Sequence, residues 1–189
     1  MGFIGGIMIC GIDEAGRGPI AGPLVMAGVI LKEKIDGLND SKKLTEKKRE
    51  ELFEKIIQKS EYKIVEVDNK TIDEKGLSFA IRYCLEEIVN SLQADRYIFD
   101  GNSKFGVEIL ETMIKGDSKV AEISAASILA KVTRDRFMYK IAEKYPNYSF
   151  AKHKGYITKQ HIAEIKKYGF SDIHRKSYKL KALNQPTLF

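Results

Sequence analysis

Asp13 and Glu14 stand side by side at the end of an apolar run, Ile7 to Ile12, just before the turn Gly16-Arg17-Gly18. Acids carried by a buried-looking strand are costly unless a positive group offsets them, and a divalent cation is the usual one. The turn that follows offers backbone N–H groups and a guanidinium, both suited to phosphate. Carboxylates for a metal beside donors for phosphate point to metal-dependent chemistry on a phosphodiester. Two further acids have comparable settings. Asp100 closes the short run Arg96–Phe99 and precedes Gly101-Asn102, and Asp117 sits in a Gly-Asp-Ser loop. Four acids in three separate loops could bind two Mg²⁺ or Mn²⁺ ions. Such a pair, roughly 3.5–4 Å apart, activates a water and stabilises a leaving oxygen. Each acid also has a plainer reading: Asp100-Gly101 as a turn former, Asp117 as a cap for the helix that follows.

Alternating and periodic apolar residues mark the elements that must position these acids. Ile7–Ile12 and Leu24–Leu31 read as strands joined by a Gly/Pro-rich turn. Asp40 to Leu44 leads into a helix reaching about Gln58, with Leu52, Phe53, Ile56 and Ile57 on its apolar face. Tyr62–Val67 alternates as a strand. Thr71 and Glu74 form a capping box, predicting a helix from there to about Leu92. Arg96–Phe99 is a strand, Ala121 to Glu143 a long helix stopped before Pro146, and Thr158–Tyr168 a helix stopped by Gly169. This order predicts an α/β fold: a central mixed β-sheet flanked by helices, with a C-terminal helical segment. In such sheets sites form at strand ends.

The 189 residues, 43% hydrophobic and 31% charged, suit one domain with a real core. The longest uncharged run, Gly18 to Leu31, has 14 residues, too few to span a bilayer as a helix. Cys10 and Cys84 lie among apolar residues and read as free thiols, which with the lack of a basic leader predicts a cytoplasmic, reducing setting. The net charge of +6 is concentrated: residues 152–181 hold nine Lys/Arg and two acids, interleaved with Tyr156, Tyr168, Phe170 and Tyr178. That stretch reads either as a nucleic-acid surface or as a solvated lysine-rich face over core aromatics. His153, His161 and His174 are scattered through it and are expected to be solvated or to contact phosphate.

Five blocks, in order, carry a family resemblance: GIDEAGRGPIAGPLV at 11–25, DSKKLT at 40–45, FDGN at 99–102, GDSKVAEISAASILAKVTRDR at 116–136 and HKGYITKQH at 153–161. In these the chain resembles the type 2 ribonuclease H family, ribonuclease HII, over about residues 11 to 178. The resemblance implies a ribonuclease-H-like fold and Asp13, Glu14, Asp100 and Asp117 as metal-binding catalytic carboxylates. It implies that Gly16, Arg17 and Gly18 read the 2′-OH of a ribonucleotide and grip the flanking phosphate. Tyr156 would pack on the sugar just 3′ of that ribonucleotide and favour a deoxyribose there. Lys42, Lys43 and Ser118, with the basic stretch, would hold the duplex backbone. The activity implied is cleavage of RNA in RNA/DNA hybrids, and 5′ of single ribonucleotides in duplex DNA, leaving 3′-OH and 5′-phosphate ends. That activity serves ribonucleotide excision repair and primer removal.

Residues 1–178 are thus expected to form the catalytic domain of a monomer, and 179–189 a tail. The end of the tail, Gln185 with Leu188-Phe189, resembles peptides that dock into the bacterial sliding clamp; the alternative is an end folded back on the core. Two rival functions are a non-catalytic nucleic-acid binder and another nuclease or transposase of similar fold. A pure binder gains nothing from four acids that repel phosphate. The glycine-arginine-glycine turn with Tyr156 suits a ribose better than a DNA end.

Overall fold

The computed structural model describes residues 6–38 and 44–179. Its sheet has five strands: β1 (Ile9–Ala15), β2 (Leu24–Leu31), β3 (Ser60–Val67), β4 (Arg96–Asp100) and β5 (Leu110–Met113), ordered β3-β2-β1-β4-β5. β1 and β2 pair antiparallel, as do β2 and β3, while β1–β4 and β4–β5 are parallel. The mixed sheet expected from the element order is present, and among the described residues no helix is long and apolar enough to cross a membrane.

β2 is buried on both faces, which explains its continuous apolar sequence. Leu24 and Met26 join Cys10, Ile12 and Phe99 in one core beneath α2 (Asn69–Lys75) and α3 (Leu77–Ser91). Val25, Ala27 and Val29 face the other core, with Leu52, Phe53 and Ile56 of α1 (Glu46–Lys59) and Ala125, Ile128 and Leu129 of α4 (Ala121–Lys144). A third cluster, around Ile20, Met138, Tyr148, Phe150 and Ile165, fastens α5 (Phe150–His153) and α6 (Lys159–Tyr168) to the end of α4. α4 lies directly on β1 because Gly11 has no side chain; a Cβ there would stand 2.3 Å from the backbone of Glu122 and Ile123. Cys10 and Cys84 are free and buried, and burial pushes both thiols up to about 12.

Some boundaries differ from expectation. β1 runs on to Ala15, so Asp13 and Glu14 belong to the strand instead of following it. The Thr71–Glu74 box does not start a helix: Asp68 caps α2 by accepting the Thr71 N–H at 2.7 Å. Gly76, at φ +88°, then ends α2 and lets α3 begin, so the single helix expected to Leu92 is two. β5 and α5 were not expected. Asp117 does not cap α4, whose first flanking residue is Val120 without a side-chain cap.

Candidate active site

In the parallel pair β1–β4, Ile12 lies opposite Phe99. The next residue in each strand is an acid, so the register brings Asp13 and Asp100 side by side at the same sheet end. Successive side chains leave a strand on opposite faces. Asp13 therefore faces α4, where the Ser127 side chain hydrogen-bonds to it, and Glu14 faces the α3 side. The Glu14 N–H donates to Asp13 Oδ1 at 2.8 Å. Asp117 is buried in a 3₁₀ turn, Gly116–Ser118, and its N–H points to Asp100 Oδ2 at 3.4 Å. Burial, then the charges of Glu14 and Asp100, push Asp13 up to about 8, far above the usual carboxylate range. This crowding of like charge is the condition a hard, oxygen-ligated cation would relieve. The site is open: among the described residues no three Asp, Glu, His or Cys side chains already cage one ion position. Glu14 meanwhile meets the Arg17 guanidinium at 2.7 Å.

The turn after β1 is held from behind by two buried arginines. Arg175 donates to the carbonyls of Gly16 (2.6 Å), Arg17 (3.1 Å) and Gly22 (3.0 Å). Arg134 donates to those of Pro23 (3.0 Å), Ala21 (3.0 Å) and Lys154 (2.9 Å). The Tyr178 hydroxyl adds a second donor to Arg17 O, at 2.9 Å. Gly16 is required twice over: its φ is +97°, and a Cβ would meet Arg134 Nε at 2.3 Å. Gly18 differs, since a Cβ there would have nothing within 4 Å. The Arg17 guanidinium also lies 5.8 Å from the Phe105 ring centroid.

Asp13, Glu14, Gly16, Arg17, Gly18, Asp100 and Tyr156 line one cleft of about 390 Å³. Arg49, Ser127 and Lys131 line it too, and sequence reasoning did not single them out. Arg49 lies on α1 one turn from Leu52 and Phe53, and Ser127 and Lys131 lie on α4, whose buried residues run unbroken from Ile123 to Ala130, so only proximity marks them. A larger groove, about 480 Å³ between Pro23, Asn69 and the stacked rings of Phe79 and Tyr83, lacks the converging carboxylates. Ser118 is exposed next to Asp117, and its hydroxyl donates to Lys115 O at 3.0 Å. Lys42, Lys43, Gln185, Leu188 and Phe189 lie outside the described residues.

Two expectations about the basic stretch are corrected. Lys152, Lys159, Lys166, Lys167 and Lys176 are exposed, as are Tyr156, Tyr168 and Phe170, but Arg175 is 1% exposed and serves the turn from inside. The histidines are not solvated: His153, His161 and His174 are buried together, with the His153 and His161 rings stacked 4.0 Å apart. Their neighbours, Phe150 and Tyr148, close the third core around them.

An α/β protein of the ribonuclease-H-like type is what this sheet, with carboxylates gathered where β1 and β4 end, defines. The family model for ribonuclease HII matches residues 10–181. The ribonuclease HII of Sulfurovum sp. (strain NBC37-1) is 58% identical over 96% of both chains. That of Aliarcobacter butzleri (strain RM4018) is 60% identical over 94% of this chain and 93% of the relative. Among solved structures, the ribonuclease HII in the PCNA:RNase HII complex from Archaeoglobus fulgidus superposes with a TM-score of 0.79 at 30% identity, covering 96% and 98% of the two chains. The chain belongs to the ribonuclease HII family, and so to the endoribonucleases of the ribonuclease H type.

Proposed function

We propose that this protein cuts the RNA strand of RNA/DNA hybrids, and cuts 5′ of single ribonucleotides in duplex DNA, leaving 3′-OH and 5′-phosphate ends. The observation that carries this reading is the β1–β4 register, which sets Asp13 beside Asp100 in the same cleft as the Gly16–Arg17–Gly18 turn and Tyr156. The 2′-OH is the one group that separates RNA from DNA at a nucleotide. Gly18 leaves open space for a ribose to approach the backbone, and the two buried arginines keep that backbone fixed. Arg17 grips the adjoining phosphate, with Arg49 and Lys131 adding positive charge on the cleft wall. The exposed Tyr156 ring accepts the flat face of a deoxyribose just 3′ of the ribonucleotide and crowds an added hydroxyl. Asp13, Glu14, Asp100 and Asp117 would hold two ions, Mg²⁺ or Mn²⁺, which would supply an activated water and offset charge on the leaving 3′ oxygen. Exposed lysines of residues 152–179, with Lys42, Lys43 and Ser118, hold the duplex. This chemistry fits ribonucleotide repair and primer removal by a monomer, and the buried free thiols fit a cytoplasmic setting.

The test is cleavage of a labelled DNA duplex containing one ribonucleotide, with Mg²⁺, Mn²⁺ or EDTA. We expect a metal-dependent cut 5′ of the ribonucleotide, reduced at least about 10³-fold in Asp100→Asn and absent on all-DNA duplex. Tight duplex binding without a cut under either metal would favour a non-catalytic binder instead. We further propose that residues 1–178 act as the catalytic unit and that Gln185, Leu188 and Phe189 dock the tail on a bacterial sliding clamp. The archaeal relative's complex with PCNA supports that partner class. Equal clamp affinity of the full chain and a 1–184 chain would remove it.

A further inference from the structure

The buried histidines form a hydrogen-bond chain whose direction follows from its ends. The Ser171 N–H, which can only donate, points to His174 Nδ1 at 2.8 Å, and the Ser171 hydroxyl lies 2.7 Å from the same atom, so that nitrogen is the acceptor. The proton of the His174 ring is then on Nε2, which faces His161 Nε2 at 3.0 Å. His161 Nε2 must accept, which leaves its proton on Nδ1, and Nδ1 lies 2.9 Å from the Tyr156 carbonyl, an acceptor. The other end agrees with this assignment, because a carbonyl can take only a donor. One direction therefore satisfies every atom: Ser171 to His174 to His161 to Tyr156.

We infer that His161 and His174 are positioning residues for Tyr156, and that their chain sets how sharply the enzyme separates deoxyribose from ribose at the sugar just 3′ of the ribonucleotide. The inference rests on the reading of Tyr156 given above. The geometry gives the chain leverage over that residue. The Tyr156 N–H donates to His153 O at 2.8 Å, and the Gly155 N–H donates to His153 Nδ1 at 3.2 Å. His153 Nε2 in turn meets Glu164 Oε2 at 3.0 Å. On the other side, Ile20 N–H donates to Gly155 O at 2.9 Å, and His174 pairs with Ala21 as an isolated bridge. Ile20 and Ala21 follow the Gly16–Arg17–Gly18 turn after Pro19 alone. The histidine chain therefore spans from the segment holding the ribose-reading turn to the backbone of the sugar-reading tyrosine, and fixes the separation of the two readers. Burial pushes both His161 and His174 down to about 4, so the chain keeps one proton per ring at neutral pH.

The experiment compares two duplexes, one with a deoxyribose and one with a ribose 3′ of the scissile ribonucleotide, and takes the ratio of their kcat/KM values. In His161→Phe, which keeps the ring but removes both hydrogen bonds, the ratio falls about fivefold or more. In His161→Asn, whose amide N–H replaces Nδ1–H toward Tyr156, it stays within about twofold of wild type. A folded His161→Phe chain with the wild-type ratio overturns the inference. If that variant does not fold, ring ¹⁵N spectra of the wild-type protein at pH 7 decide. The Nδ1–H form of His161 and the Nε2–H form of His174 support it, and any other form overturns it. Tyr156→Ala separates the two layers. An unchanged ratio there removes the reading of Tyr156, and this role with it, even if the tautomers are as expected.

Discussion

At the scale of single residues, the two glycines of the turn do different work although the motif presents them as equals. Gly16 is bound by backbone geometry and by the Arg134 side chain that would meet its Cβ, whereas Gly18 faces empty space. Gly16→Ala should therefore cost about 2–4 kcal/mol of stability, visible as a Tm fall of roughly 4–16 °C. Gly18→Ala should leave Tm within about 2 °C while raising KM for a ribonucleotide-containing duplex severalfold, because only substrate needs that space. Thermal melts and steady-state kinetics on the two variants check both halves; a large Tm loss in Gly18→Ala would contradict the division. The carboxylates and the turn were legible from their neighbours in the chain. Arg134 and Arg175 were not, because a charged residue, whether on a helix such as α4 or in the basic stretch, reads as surface. Nothing local announces that its guanidinium will meet carbonyls such as Gly16 and Pro23, more than a hundred positions earlier. The histidines were misread for the same reason, since their partners are each other.

At the scale of elements, β2 and α4 agree with expectation because burial imposes a strong pattern on them, and α6 because Thr158 and Gly169 bound it clearly. β5 was illegible because it is a four-residue edge strand, Leu-Glu-Thr-Met, with one buried side chain. The α2–α3 break was missed because a cap three residues upstream, Asp68, competes for the same N–H groups as the Thr71 box. The segment from α5 to the Ala21 bridge has a pH signature. His161 and His174 take up protons near 4 when folded and near 6.5 when unfolded. The unfolded chain therefore binds more protons between those values, and stability is lost as pH falls from 6.5 toward 4. The charges around the pair are His153, whose positive form opposes theirs, Glu164 on α6, which favours it, and Lys176, which opposes it. Asp13, held near 8, acts in the opposite sense, so the measurement belongs in an Asp13→Asn background. There the Tm should fall by about 5 °C or more between pH 7 and pH 5. The fall should be smaller when His161→Asn is added. An unchanged Tm across that interval would show that the rings charge without cost.

At the scale of the whole molecule, the acids and the bases are segregated. The carboxylates converge at the end of β1 and β4, while the exposed lysines of α5, α6 and the segment beyond give a basic surface suited to a polyanion. That division was legible as a charge gradient along the chain, but its depth was not, since Arg175 lies inside. The sheet also separates two cores, and both cysteines belong to the same one: Cys10 on the strand that carries the acids, Cys84 on the helix packed over it. Fully buried thiols held up to about 12 are shut to alkylating reagents until that layer opens. They are thus a built-in clock for the breathing of the catalytic strand. If β1 and α3 part only together, both sulfurs should be labelled in native buffer at one shared rate. A saturating divalent cation should slow that rate by as much as it stabilises the fold. Mass spectrometry of partly labelled chains would then find none or two modified sites, seldom one; a dominant singly labelled species would mean that the helix lifts from the sheet while the strand stays in place.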